Sequence, residues 1–82
     1  MMRITVRYFA VVRELTGRIE EDIEMPDDSH GAVLLDRLAE SYAPLKEYKP
    51  YLRLATDSAF LSLDDILDDG TVINVIPPVS GG

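Results

Sequence analysis

Gly31-Ala32-Val33-Leu34-Leu35-Asp36-Arg37-Leu38-Ala39-Glu40-Ser41-Tyr42 is the stretch that decides the fold. Leu35, Leu38 and Tyr42 recur at i, i+3 and i+7, with Leu34 beside them, and so mark one face of an amphipathic helix. Ser29 stands where an N-cap belongs, and Pro44 keeps the helix from running much further. A single main helix covers one face of a sheet and leaves the other toward solvent. The remaining chain must therefore supply one sheet in a two-layer α+β fold.

On the N-terminal side, residues 3–9 alternate. Ile4, Val6 and Tyr8 fall on one face, and Arg3, Thr5, Arg7 and Phe9 on the other, which reads as a strand. Ala10 to Leu15 is a short connection, about one helical turn, ended by Thr16-Gly17. Ile19, Glu21, Ile23 and Met25 alternate again up to Pro26-Asp27-Asp28, and so short a link makes the two strands antiparallel neighbours.

On the C-terminal side, Ala43 to Pro50 reads as a proline-bounded loop. Residues 51–56 and 59–63 are expected to be strands turning at Asp57-Ser58. Asp64 to Asp69 is an acidic segment with Ile66 and Leu67 expected to point inward. After an Asp69-Gly70 turn, Thr71 to Ile76 is a β-rich final strand, with Ile73 and Val75 on one face and Val72, Asn74 and Ile76 on the other. The order β-β-α-β-β-β within 82 residues points to a ubiquitin-like β-grasp, a mixed sheet with the helix packed on one face.

Composition narrows the function. Eight basic residues against fifteen acidic ones give a net charge of −7, which opposes binding a phosphate backbone and fits attraction to a basic protein surface. There is no cysteine to form a disulfide or a thiolate metal site. No apolar run is long enough to span a bilayer, and Met1-Met2-Arg3-Ile4-Thr5 lacks the apolar core of a signal peptide. The expectation is a cytoplasmic protein that binds neither nucleic acid nor membrane.

Catalytic sets are scarce. His30 is the only histidine, beside the expected helix start, and Ser29 has no orienting third group near it in sequence. Gly17, Gly31 and Gly70 stand alone, so no phosphate-binding loop is formed. Asp64, Asp65, Asp68 and Asp69 have the wrong spacing for an EF-hand: the third position from Asp64 is Ile66 and the sixth is Asp69. No metal site and no permanently bound cofactor are expected.

The ending Pro77-Pro78-Val79-Ser80-Gly81-Gly82 stands apart from the rest. Two prolines lack the N–H groups a central ladder needs and favour a stiff polyproline arm. Six extended residues reach about 20 Å. Glycines without side chains can thread a narrow active site and present a carboxylate there. Residues 1–76 are read as the globular domain and 77–82 as the tail. A carboxylate is a poor electrophile until its oxygen becomes a leaving group, for instance by adenylation with ATP. The activated acyl carbon can then take sulfur or be attacked by an amine.

Two runs carry a family resemblance. Tyr8-Phe9-Ala10-Val11-Val12-Arg13-Glu14-Leu15-Thr16-Gly17 is one, and Leu67-Asp68-Asp69-Gly70 together with Val75-Ile76-Pro77-Pro78-Val79-Ser80-Gly81-Gly82 is the other. Together they resemble the small subunit of molybdopterin synthase. The resemblance implies that a ubiquitin-activating-type enzyme adenylates Gly82 with ATP and that sulfur is installed there as a thiocarboxylate, with Gly81 as spacer. It implies that the tail then enters the large subunit, in a heterotetramer, and donates sulfur to cyclic pyranopterin monophosphate in molybdenum cofactor biosynthesis. The chain alone is expected to catalyse nothing. Leu54-Ala55-Thr56-Asp57 departs from the family's usual hairpin, which leaves open a carrier for thiamin, cysteine or tRNA thiolation, or a protein modifier. Phe9 and Ile76, at the ends of the first and last strands, are expected to form an outward apolar patch at the tail root. With Pro77, Pro78, Val79 and Ser80 they make up the expected partner-binding set.

Overall fold

The computed structural model describes residues 1–78. Five strands form one sheet: β1 (Met2–Tyr8), β2 (Glu20–Met25), β3 (Arg53–Ala55), β4 (Phe60–Leu61) and β5 (Val72–Ile76), in the spatial order β2-β1-β5-β3-β4. β1 and β5 are parallel, and the other neighbours are antiparallel. A short helix, α1 (Ala10–Thr16), links β1 to β2 and closes on Gly17 in the left-handed conformation. The main helix, α2 (Gly31–Ser41), crosses from β2 toward β3. This is the ubiquitin-like β-grasp, an α+β fold.

The inner face follows the period-2 reading. Ile4, Val6 and Tyr8 of β1 and Ile73 and Val75 of β5 are fully buried. From α2 they meet Leu34, Leu35 and Leu38, all in one hydrophobic cluster. Burial of such aliphatic side chains stabilises the fold by about 1.5–3 kcal/mol each, and without a disulfide this packing carries the stability.

Several expectations need correction. The N-cap of α2 is His30, not Ser29, and no side chain caps it. Backbone carbonyls do this work instead: Gly31 N–H donates to Asp65 O at 3.1 Å and Ala32 N–H to Leu63 O at 3.0 Å. These are two of the donors that any helix start leaves unpaired. The Ser29 hydroxyl donates to Pro26 O at 2.6 Å. Gly31 suits this junction because a Cβ there would stand 3.2 Å from the Leu63 Cα and 3.3 Å from the Ser62 carbonyl oxygen.

The expected loop 43–50 folds into two 3₁₀ turns, Ala43–Lys46 and Lys49–Tyr51, each with a proline in its first turn. Leu45 of the first is fully buried and extends the core. Tyr51 and Leu52 accordingly lie outside β3, and β3 and β4 are shorter than their alternation implied. The turn between them is as expected, with Thr56 N–H donating to Ala59 O. Leu67 is buried, but Ile66 is 56% exposed and points away from the core. Its backbone forms an isolated bridge with His30, which fixes the acidic segment against the helix start. Ile19, expected to open the second strand, precedes β2 and is exposed.

One polar group belongs to the core. Glu21 of β2 lies half-buried on the inner face, where its Oε2 accepts hydrogen bonds from the Tyr8 and Tyr42 hydroxyls, both at 2.5 Å. The two rings meet edge to face, with centroids 6.2 Å apart. Burial, and then the adjacent Glu21 carboxylate, push both phenol pKa values upward.

A phenol whose folded pKa is raised contributes stability that is complete below its unfolded pKa, near 10, and is lost as pH rises through the folded value. Denaturant unfolding should therefore show stability falling above about pH 10, and Tyr8→Phe should flatten that fall. At neutral pH the same variant should lose about 1.5 kcal/mol, since Tyr42 still serves Glu21. An alkaline slope identical in both proteins would contradict this coupling.

Candidate functional site

The tail root is set by strand register. Tyr8 lies opposite Val75 in the parallel β1–β5 pair. Both face inward, so Phe9 and Ile76, one residue on, lie at the outer face where the two strands end. The expected juxtaposition is present: Phe9, Ala10, Asn74, Ile76 and Pro77 line one shallow depression of about 390 Å³. Phe9 is 38% exposed and Ile76 half-buried, so neither is folded into the core. Phe9 keeps extended backbone as the N-cap of α1, while Ala10 takes a left-handed φ of 49°. That conformation costs a residue with a Cβ about 1–2 kcal/mol, and the sharp turn it makes ends β1 beside the depression.

β5 stops at Ile76, and Pro77 and Pro78 follow outside any strand, as expected of residues with no N–H to give. Val79, Ser80, Gly81 and Gly82 lie outside the described residues.

Two further residues join the patch that periodicity alone did not reveal. Arg53 of β3 is in register with Ile76, and Phe60 of β4 with Ala55. Since Leu54 and Val75 are buried, Arg53 and Phe60 face outward. The Arg53 guanidinium lies 4.5 Å from the Phe60 ring centroid, and Phe60 is 59% exposed. The signal was present in the hairpin, where an inward Leu54 forces its neighbours outward, but only once β4's register is known.

The outer face is thus divided. Its β1–β2 half carries polar pairs: Arg3 with Glu24 at 3.1 Å, Arg7 with Glu20 at 3.7 Å, and the Thr5 hydroxyl donating to Asp22 at 2.7 Å. Its other half, toward the tail root, carries Phe9, Ile76 and Phe60. An exposed apolar cluster bordered by charges is the usual form of a protein-docking surface.

Elsewhere the chain offers little chemistry. His30 Nδ1 lies 3.2 Å from Leu63 O, a contact that belongs to the loop–helix junction. A second groove, about 310 Å³, lies between α2 and the 3₁₀ turns, edged by Lys46 and by Lys49 in its ion pair with Asp36. It shares no lining residue with the tail-root depression. No group of three metal-ligating side chains comes together among the described residues, and no described helix is long and apolar enough to cross a membrane.

This division of faces predicts opposite responses to charge. Phe9→Glu should melt within a few degrees of the parent, because outer-face changes cost little. Val6→Glu, on the buried face of the same strand, should fail to fold. Loss of the cooperative transition in Phe9→Glu would place Phe9 in the core.

The ThiS family model matches residues 6–82. The chain is 32% identical to the molybdopterin synthase sulfur carrier subunit of Chlamydomonas reinhardtii, across 99% of this chain and all of that one. It is also 32% identical to small archaeal modifier protein 3 of Haloferax volcanii, again across 99% of this chain and all of that one. Among solved structures it is similar to a putative molybdopterin converting factor subunit 1 from Pyrococcus furiosus, with TM-score 0.85 and 31% identity, covering 96% of this chain and all of that one. It is similar too to a chain in the complex of subunits 1 and 2 of molybdopterin-converting factor from Helicobacter pylori, with TM-score 0.67, 27% identity and coverage of 99% and 100%. A family match running from β1 to the final glycine, on a β-grasp whose last strand is followed by Pro-Pro, leaves one assignment: the chain belongs to the ThiS family.

Proposed function

We propose that this chain is the sulfur-carrier subunit of a molybdopterin synthase. The observation that carries the reading is that the Pro-Pro-Val-Ser-Gly-Gly ending follows β5 in the sequence, and that Pro77 at its start lines an outward apolar depression, in a chain whose relatives bear the sulfur-carrier name. The tail brings the reactive atom and the depression brings the docking surface. No catalytic set is needed on the carrier itself.

The chemistry follows from the carboxylate. At neutral pH the Gly82 carboxylate is ionised and unreactive toward nucleophiles. In the partner adenylating enzyme one of its oxygens attacks the α-phosphorus of ATP, and pyrophosphate leaves. A hydrosulfide-level sulfur then attacks the acyl carbon, the acyl–phosphate bond breaks and AMP departs, which leaves a thiocarboxylate. The loaded tail enters the large subunit, which holds the catalytic residues and accepts the sulfur onto cyclic pyranopterin monophosphate. The relative solved as a complex of subunits 1 and 2 supports a large-subunit partner, and a large subunit that dimerises gives a heterotetramer. Gly81, without a side chain, lets the terminal carbon pass through a narrow channel.

A second reading is favoured by the archaeal relative named as a modifier protein. There the activated acyl carbon meets a lysine Nζ, an amide forms, AMP leaves, and the product is an isopeptide bond. Both routes share activation of Gly82 and differ in the nucleophile.

The test uses the full chain with adenylating enzyme, ATP, a sulfur donor and large subunit. Deleting Gly82 should abolish sulfur transfer and leave the melting transition within about 0.5 kcal/mol of the parent, since the tail lies beyond the last strand. Adding one residue after Gly82 should be equally damaging, because the carboxylate is then displaced. Sulfur transfer at the parent rate by the truncated chain would overturn the carrier reading.

A further inference from the structure

Asn74 stands at the centre of the open sheet face. Strand register places it between Arg7 of β1 and Ala55 of β3, with Glu20 and Phe60 completing a row across all five strands. Its Oδ1 is buried and has no hydrogen-bond partner, the one side-chain oxygen or nitrogen so placed among the described residues. A buried acceptor left unmet destabilises a fold, and an apolar residue of similar size in its place removes that cost. The unmet Oδ1 therefore adds nothing to the stability of the free chain. Asn74 also lines the tail-root depression, whose other lining residues are Phe9, Ala10, Ile76 and Pro77.

We propose that Asn74 Oδ1 is the acceptor for a neutral hydrogen-bond donor of the docking partner, a backbone N–H or hydroxyl on an otherwise apolar segment that fills the depression. The apolar lining sets the character of that segment. A neutral donor fits because a cation would lose its hydration against the apolar lining of the depression. Reaching Oδ1 requires side chains around the depression to move on docking, as interface side chains commonly do. Asn74 is then a positioning residue: one directional bond next to Pro77 sets the register in which the carrier is held, and so where the tail is delivered.

This inference rests on the reading that the tail-root face docks the large subunit, and its test separates the two. Asn74→Leu is compared with the parent by thermal melting of the free chain and by calorimetry against the large subunit. Sulfur transfer by the parent is measured in the same preparations. The melting midpoint of the variant should hold or rise by a few degrees, while affinity falls about tenfold to a hundredfold, the range for an unmet buried donor in the partner. A lowered midpoint would mean that the amide serves the free fold, and unchanged or tighter binding would mean that no donor meets it. Either result overturns the proposal. Failure of the parent to transfer sulfur would instead count against the carrier reading itself.

Discussion

The parallel pairing of β1 with β5 is the constraint on which the rest depends. It sets the two ends of a long chain side by side at the middle of the sheet, with Val6 opposite Ile73 and Tyr8 opposite Val75, all fully buried. The pair is fixed where it begins: Asp69 Oδ1 accepts from Arg3 N–H, and Gly70 N–H donates to Arg3 O, both at 2.8 Å. Gly70 has a φ of 82°, which a glycine adopts without strain. Once this register is set, Phe9 and Ile76 must emerge together, and Pro77 follows from a strand paired on both sides. The last strand is thereby tied to the core of the domain.

The two faces of the sheet have separate tasks. The inner face, under α2, is closed by aliphatic packing and by Glu21 held between two tyrosines, and it supplies stability. The outer face has no helix over it. Its polar half is neutralised by local pairs, and its apolar half, around Phe9, Ile76 and Phe60, stays partly exposed. The chain tolerates that exposed surface, a buried acceptor at Asn74 and a left-handed Ala10, all within one small region. Costs gathered at one place in an otherwise consistent fold are the pattern expected of a functional site, and they motivate the proposal made for this one.

Much of this was legible in the residues. Alternation located the inner face because a strand has only two sides, and Ile4, Val6, Tyr8, Ile73 and Val75 left no second choice. The helix was legible because Leu34, Leu35 and Leu38 share one face. Adjacent apolar pairs were not: Ile66 and Leu67 carry the same signal, and only the bridge from His30 turns one of them outward. Ser29 had the composition of a cap, but carbonyls distant in sequence took that task. β3 lost residues to a proline-led 3₁₀ turn and β4 to the turns that flank it, neither of which hydrophobic period reports. The Glu21 cluster was hidden for a related reason, since a carboxylate within an alternating strand gives no sign that two distant hydroxyls will converge on it. Of the site, the tail was read directly as a motif and the Phe9–Ile76 patch from register. Arg53, Phe60 and Asn74 needed the strand order.

The central claim is that the terminal carboxylate of Gly82 is the working group of a carrier. It is tested most directly by the intact mass and fragmentation of the chain isolated, without reductive or hydrolytic treatment, from the cells that make it. The account predicts a population in which one oxygen at Gly82 is replaced by sulfur. Gly82 found only in amide linkage to lysines of other proteins would contradict the carrier reading and establish a modifier. An unaltered carboxylate under every growth condition would contradict both.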